Sequence, residues 1–210
     1  MRDMSNAALI ANGEIVDLAW TSMQLRRFSF LAAVDGGLNH CLNMRLVPDL
    51  LIGDLDSVLP EALQAYASVP ICKFPVLKDD TDLALAVQIL LQKGFESITV
   101  FGGTGNRLDH TLSNIYLMSR YPLHVKMQSK FESAFFLKEN ERLQTFSGQT
   151  ISLIPFNGSV QQVSTKGLLW DLHQQTLDFS FLSQSNSCIG SSVEITFVQG
   201  SLLCCLQNPG

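Results

Sequence analysis

The sequence predicts an α/β domain with a mostly parallel sheet, followed by an all-β domain that forms an antiparallel β-sandwich, and three observations carry that reading. Short β-like runs alternate with helical patterns as far as Met127, and such alternation implies parallel strands with helices packed on their faces. From Ala134 onward, short apolar runs follow one another between Gly, Asn, Ser and Gln with no convincing helix, a spacing that suggests a sandwich or barrel. The chain is also 46% hydrophobic over 210 residues. At this length that buries about 70% of the unfolded surface, which excludes disorder.

Taken in order, residues 7–11 (AALIA), 30–34 (FLAAV), 50–52 (LLI), 71–74 (ICKF) and 98–101 (ITVF) read as strands bounded by Gly, Pro, Asn or Asp. The strongest helix is 81–92 (TDLALAVQILLQ), capped by Asp80 or Thr81 and closed by Gly94. A second helix opens near Leu108 and carries Leu112, Ile115 and Met118 at helical spacing. The later runs FFLKE, TISLIPF, GLLWDL, LDFSFL, VEITFV and SLLCCL all read as strands. The polar stretch 128–130 joins the halves, which places the domains at 1–131 and 132–210.

Charge excludes some partners. The formal charge of −5 argues against a general nucleic-acid binder, which needs a basic face to displace counterions. No apolar run approaches the roughly 18 residues that cross a membrane, and the first residues lack the pattern of a signal peptide, so the expected location is cytoplasmic. Five scattered cysteines without a CxxC read as reduced thiols in apolar positions.

In an open α/β sheet, ligands bind beyond the carboxyl ends of the strands. Four successive strand ends here carry Asp, Gly or both: Asp35-Gly36-Gly37, Gly53-Asp54-Leu55-Asp56-Ser57, Lys78-Asp79-Asp80-Thr81-Asp82, and the run from Gly102 and Gly103 through Arg107 to His110. Asp54, Asp56 and Asp82 together make a hard-oxygen site, and such carboxylates repel one another unless a cation sits among them; Mg²⁺ suits them. The glycine loop lets backbone N–H groups approach phosphate, the following helix adds its dipole, and Arg107 offers a bidentate fork. Neither a P-loop nor a dinucleotide fingerprint is present. His40, His124 and His173 have no partners at metal-ligand spacing.

Five motifs in register carry a resemblance over nearly the whole chain: VDGG at 34–37, PDLLIGDLDS at 48–57, KDDTD at 78–82, GGTGNRLDH at 102–110 with Asn114 one turn on, and GLLWDL at 167–172 followed by SQSN at 183–186. The chain resembles the thiamine pyrophosphokinases. The resemblance implies a catalytic ATP- and Mg²⁺-binding domain, a β-sandwich that helps bind thiamine, and a homodimer with active sites between subunits. It implies transfer of a pyrophosphoryl group from ATP to the thiamine hydroxyl. Carried over by position, Asp54, Asp56 and Asp82 look like the metal ligands, and with Arg107 they look catalytic. Asp35, Gly36, Gly37, Lys78, Asp79, Thr81, Gly102, Gly103, Arg107, Asp109, His110 and Asn114 look like the nucleotide side. Asp82, Trp170, Ser185 and Asn186 look like the thiamine side. Asn106, Leu83 and Leu55 depart from the family pattern without removing a charge. Two rival readings are another Mg²⁺-dependent nucleotide transferase or phosphohydrolase built on GDLDS, and a non-enzymatic module that binds thiamine or nucleotide.

Overall fold

The computed structural model describes residues 6–75, 80–105 and 107–209. Lys78, Asp79 and Asn106, singled out above, lie outside the described residues. The chain divides into two compact units after Lys130.

The first unit is an all-parallel sheet with strands β1 (Asn6–Ile10), β2 (Phe30–Val34), β3 (Leu50–Gly53), β4 (Ile71–Lys73), β5 (Ser97–Phe101) and β6 (Val125–Gln128), in the order β4-β3-β2-β1-β5-β6. Helices α1 (Leu18–Leu25), α2 (Gly37–Met44), α3 (Pro60–Ala65), α4 (Asp82–Gln92) and α5 (Leu108–Arg120) connect them. The strand order reverses between β1 and β5, and the crevice beyond their carboxyl ends is the point where such sheets hold ligands. Ala7, Ala8, Leu9 and Ile10 of β1 are fully buried, because a central parallel strand is covered on both faces.

Local chemistry sets the helix starts. Asp17 caps α1 by accepting from the Trp20 N–H at 2.9 Å, and Lys130 pairs with the same carboxylate at 2.7 Å. Thr81, not Asp80, caps α4, accepting from the Ala84 N–H at 3.2 Å. One face of α4, including Leu83, Ala84, Val87 and Leu90, is buried. Leu83 is thus a core position, which explains the apolar residue there.

The second unit is antiparallel: β7 (Glu132–Phe136), β8 (Asn140–Gln144), β9 (Thr150–Lys166), β10 (Gln175–Leu177), β11 (Ser183–Ser187), β12 (Ser192–Thr196) and β13 (Gln199–Gln207). The seventeen-residue β9 organises it. Its first half pairs with β13 and β11, while its second half pairs with β12 and β10. Asn157 and Gly158 between the halves take positive φ angles of 59° and 131°, so one strand serves two sheets. Ile151, Leu153, Val160, Val163, Leu177, Val193, Ile195 and Leu202 fill the core.

Two local readings are corrected. GLLWDL is a turn with a single bridge, Leu168 to Cys188, because Asp171 folds back to accept from the Leu168 N–H at 3.0 Å. Residues 178–181 of LDFSFL also turn, with Asp178 accepting from Ser180 and Phe181, so Phe179 points into solvent and is 97% exposed. The polar SQSN is strand β11. At the two turns a side-chain hydrogen bond overrode the apolar pattern, and at β11 the backbone ladder to β9 forms without one. The polar β8 (NERLQ) had no apolar pattern to reveal it.

Candidate active site

The carboxylates meet because β2 and β3 are neighbours in register, Val34 opposite Ile52. Asp35 follows β2 with φ 47°, a conformation costly for most residues but tolerated by Asp, and its N–H donates to the Ile52 carbonyl at 2.8 Å. Gly53 follows opposite, where a Cβ would stand 3.1 Å from that of Asp35. Leu55 also has a left-handed φ of 71°, folding the turn so that Asp56 N–H reaches Asp54 Oδ1 at 3.2 Å. The Ser57 hydroxyl donates to Asp56 at 2.8 Å. Backbone strain at both Asp35 and Leu55 marks the spot.

Oxygen atoms of Asp35, Asp54 and Asp56 all lie within 4.8 Å of one another. Asp35 Oδ1 is buried without a hydrogen-bond partner among the described residues. Burial pushes the Asp35 carboxyl above the ordinary carboxylate range; hydrogen bonds from Ser57 and Gly36 oppose the shift, and the charges of Asp56 and Asp54 add to it. An orphaned carboxylate oxygen facing two more carboxylates fits a hard divalent cation. The sequence reading put Asp82 in this set and Asp35 with the nucleotide. The structure instead groups Asp35 with Asp54 and Asp56, because strand pairing brings β2 and β3 together, whereas Asp82 arrives from the first turn of α4.

Asp82 still faces the same space. A cavity of about 590 Å³ is lined by Asp35, Asp54, Thr81 and Asp82 together with Gly102, Gly103, Arg107, Asp109, His110 and Asn114. Asp80 is also on its wall, held by Arg120 at 3.5 Å and Gln88 at 3.3 Å. Asn114 donates to the Gly103 carbonyl at 2.7 Å, fixing the glycine loop from α5. Arg107 stands at the N-cap of α5, and its own side chain makes no capping hydrogen bond to the helix. Its guanidinium makes a two-point contact with Asp109, at 2.6 and 3.2 Å, which lowers the Asp109 pKa and raises that of Arg107. Gly36 and Gly37 support the turn from behind: a Cβ on Gly37 would collide with the Ile10 carbonyl. The loop after β1, Ala11 to Gly13, also lines the cavity. The sequence reading passed over it, although Asn12-Gly13 after a strand was the available signal.

The second unit holds Trp170 on its turn, 63% exposed. Asn186 is buried on β11, accepts from the Trp170 N–H at 3.2 Å and donates to the Trp170 carbonyl at 2.8 Å. It also accepts from the Ser187 N–H at 2.9 Å. Asn186 thus acts through the Trp170 turn. Ser185, at φ 55°, donates its N–H to Ser152 and is exposed.

Residues 22–131 match the family described as "Thiamin pyrophosphokinase, catalytic domain", and residues 137–202 match "Thiamin pyrophosphokinase, vitamin B1 binding domain". The chain is 29% identical to the thiamine pyrophosphokinase of Bacillus subtilis, over 81% of this chain and 83% of that one. It is 27% identical to thiamine pyrophosphokinase 1 of Oryza sativa subsp. japonica, over 85% and 77% respectively. The fold is that of the crystal structure of thiamine pyrophosphokinase from B. subtilis, with a TM-score of 0.84 over 98% of this chain and all of that one at 24% identity. Yeast thiamin pyrophosphokinase superimposes with a TM-score of 0.81 over 99% and 87% at 16% identity.

Proposed function

The chain belongs to the thiamin pyrophosphokinase family, and from that premise we infer that it transfers a pyrophosphoryl group from ATP to the hydroxyl of thiamine, releasing AMP. The observation that carries the reading is the cavity wall on which strand-end carboxylates, the start of α5 and a two-point arginine meet.

The reaction is an in-line displacement at the β-phosphorus, which depends on positioning and charge neutralisation more than on covalent chemistry. Asp35, Asp54 and Asp56 would hold Mg²⁺, which supplies charge neutralisation for the triphosphate when bound. The N–H groups at the start of α5 and the loop fixed by Asn114 cradle phosphate oxygens. Arg107, pre-aligned by Asp109, exchanges that partner for phosphate. Asp82, at the start of α4, orients the thiamine hydroxyl and accepts its proton.

Trp170 offers an indole face to the cationic thiamine ring, an attraction of about 0.5–2 kcal/mol. The second unit also exposes Leu169, Phe179, Phe181 and Ile189, and after Arg142 its only charged residues are Lys166, Asp171, Asp178 and Glu194. So apolar and thinly charged a surface supports a homodimer in which a second copy covers it and active sites lie between subunits. No described helix is long and apolar enough to cross a membrane. We assign the enzyme to the cytoplasm.

The test is to incubate the pure protein with ATP, Mg²⁺ and thiamine, omitting each in turn. Thiamine diphosphate and AMP are the expected products. ADP or free phosphate in place of AMP would point to the rival transferase or phosphohydrolase, and binding without turnover to the non-enzymatic module.

A further inference from the structure

The reversal between β1 and β5 makes the segment after β1 one wall of the ligand crevice, and its first polar side chain is Asn12. Its backbone is fixed on both flanks. Ala11, Gly13 and Glu14 donate their N–H groups to the carbonyls of Phe101, Gly102 and Thr104 at 2.8, 2.8 and 2.9 Å. From the other side His40 Nε2 lies 2.9 Å from the Gly13 carbonyl and donates to it. Burial lowers the His40 pKa, so the ring is neutral and the carbonyl fixes the proton on Nε2. Contact is so close that a Cβ on Gly13 would stand 2.3 Å from the Gly102 oxygen.

The Asn12 side chain itself is exposed, with Gly36 as its near neighbour. Its carboxamide lies against Gly36, where a Cβ would come within 2.3 to 2.5 Å of the amide carbon, oxygen and nitrogen. Gly36 has φ −57° and ψ −7°, which any residue adopts, so a side chain there would meet no backbone obstacle and would act by displacing the Asn12 carboxamide. Among the described residues the Asn12 carboxamide has no hydrogen-bond partner, and Asn12 lines the cavity between Asp35 and the Gly102–Gly105 loop. The fold therefore presents an exposed amide on the cavity wall whose donors and acceptor are unused by the described residues.

We propose that Asn12 is a nucleotide-binding residue whose amide N–H donates to a phosphate oxygen of ATP, with Gly36 as the positioning residue that leaves room for it. A neutral donor suits this place. A lysine beside Asp35 and Asp54 would pair with them and compete with a bound cation, whereas a carboxamide adds a donor without adding charge. The inference rests on the reading of the cavity as the ATP site and names a contact within it.

The test measures Mg·ATP affinity by calorimetry without thiamine, then steady-state kinetics with both substrates, for the wild type, Asn12→Ser, Gly36→Ala and the double variant. A hydrogen bond to a charged group predicts about tenfold weaker ATP binding for Asn12→Ser, with the thiamine KM within about twofold of wild type. Gly36→Ala reproduces the ATP loss by displacing the amide, and in the Asn12→Ser background it adds nothing further. A general structural defect would move both KM values and lower Tm; this contact moves the ATP parameters alone. Wild-type protein that binds no Mg·ATP overturns the reading of the site. Wild-type protein that binds ATP and makes thiamine diphosphate, while Asn12→Ser or Gly36→Ala matches its ATP affinity, overturns the role of Asn12 and leaves that reading standing.

Discussion

The two units place polar and apolar side chains in opposite ways. In the first, carboxylates gather at strand ends around a cavity, and Asp35 keeps a buried oxygen with no partner among the described residues. In the second, the buried amides are satisfied: Asn186 spends its amide on the Trp170 backbone, and Gln149 bonds the Phe146 N–H and the Gln207 carbonyl. Two of its aromatic side chains, Trp170 and Phe179, stand in solvent. Unsatisfied charge is the reactive feature of the first unit; in the second, satisfied amides hold turns that present apolar faces outward. The same cost of burying a polar group is left open in one and settled in the other.

The largest effects should come from the open side. Asp54→Asn lowers Mg²⁺-dependent turnover at least about 100-fold with the circular dichroism spectrum unchanged; near-normal turnover would remove Asp54 from the metal site. Asp35→Asn loses activity similarly but raises the Tm of the metal-free protein. The sign follows from the pKa: burial raises it in the fold, so the folded chain binds the proton more tightly than the unfolded one and ionisation at neutral pH opposes folding. Asn removes that charge and tolerates the left-handed φ. A lower Tm for this variant would show that the carboxylate is stabilised by contacts within the chain.

On the settled side, Trp170→Ala is expected to raise the thiamine KM up to about thirtyfold, the equivalent of 2 kcal/mol, while the ATP KM stays put. Equal changes in both would make Trp170 a structural residue. Asn186→Ala strands the backbone groups of the Trp170 turn and costs about 1–3 kcal/mol, seen as a lower denaturation midpoint together with a raised thiamine KM. A change in stability without one in KM would separate the turn from the ligand. The smallest effect on stability is Phe179→Ser, within about 0.5 kcal/mol because the ring is solvent-exposed. Its consequence appears in sedimentation, as weakened self-association; an unchanged species would shift the interface elsewhere.

The contrast also governs what the sequence made legible. The first unit's strands follow from apolar runs ending in Asp or Gly, and the cavity from reading what stands at those ends. What escaped was the partner of Asp54. Strand order decides that β2 lies beside β3, and order is a long-range property that composition does not carry. In the second unit apolar runs misled at GLLWDL and LDFSFL, since an Asp that accepts backbone N–H groups turns the chain whatever its apolar neighbours prefer. The polar β11 was hidden for the converse reason, because its ladder to β9 and the buried Asn186 supply what apolar side chains do elsewhere.

The double duty of β9 has a consequence for how the chain is made. Its first half is completed by β13, which also holds β7, so residues near 150 must wait for residues near 206 before either sheet closes around the core. Such distant pairing is slow to form. On the ribosome the first unit has every strand it needs once Gln128 has emerged, whereas the second stays open, with its apolar surface exposed, until β13 has been synthesised. A nascent chain arrested between β12 and β13 is the species most exposed to aggregation and to chaperone capture.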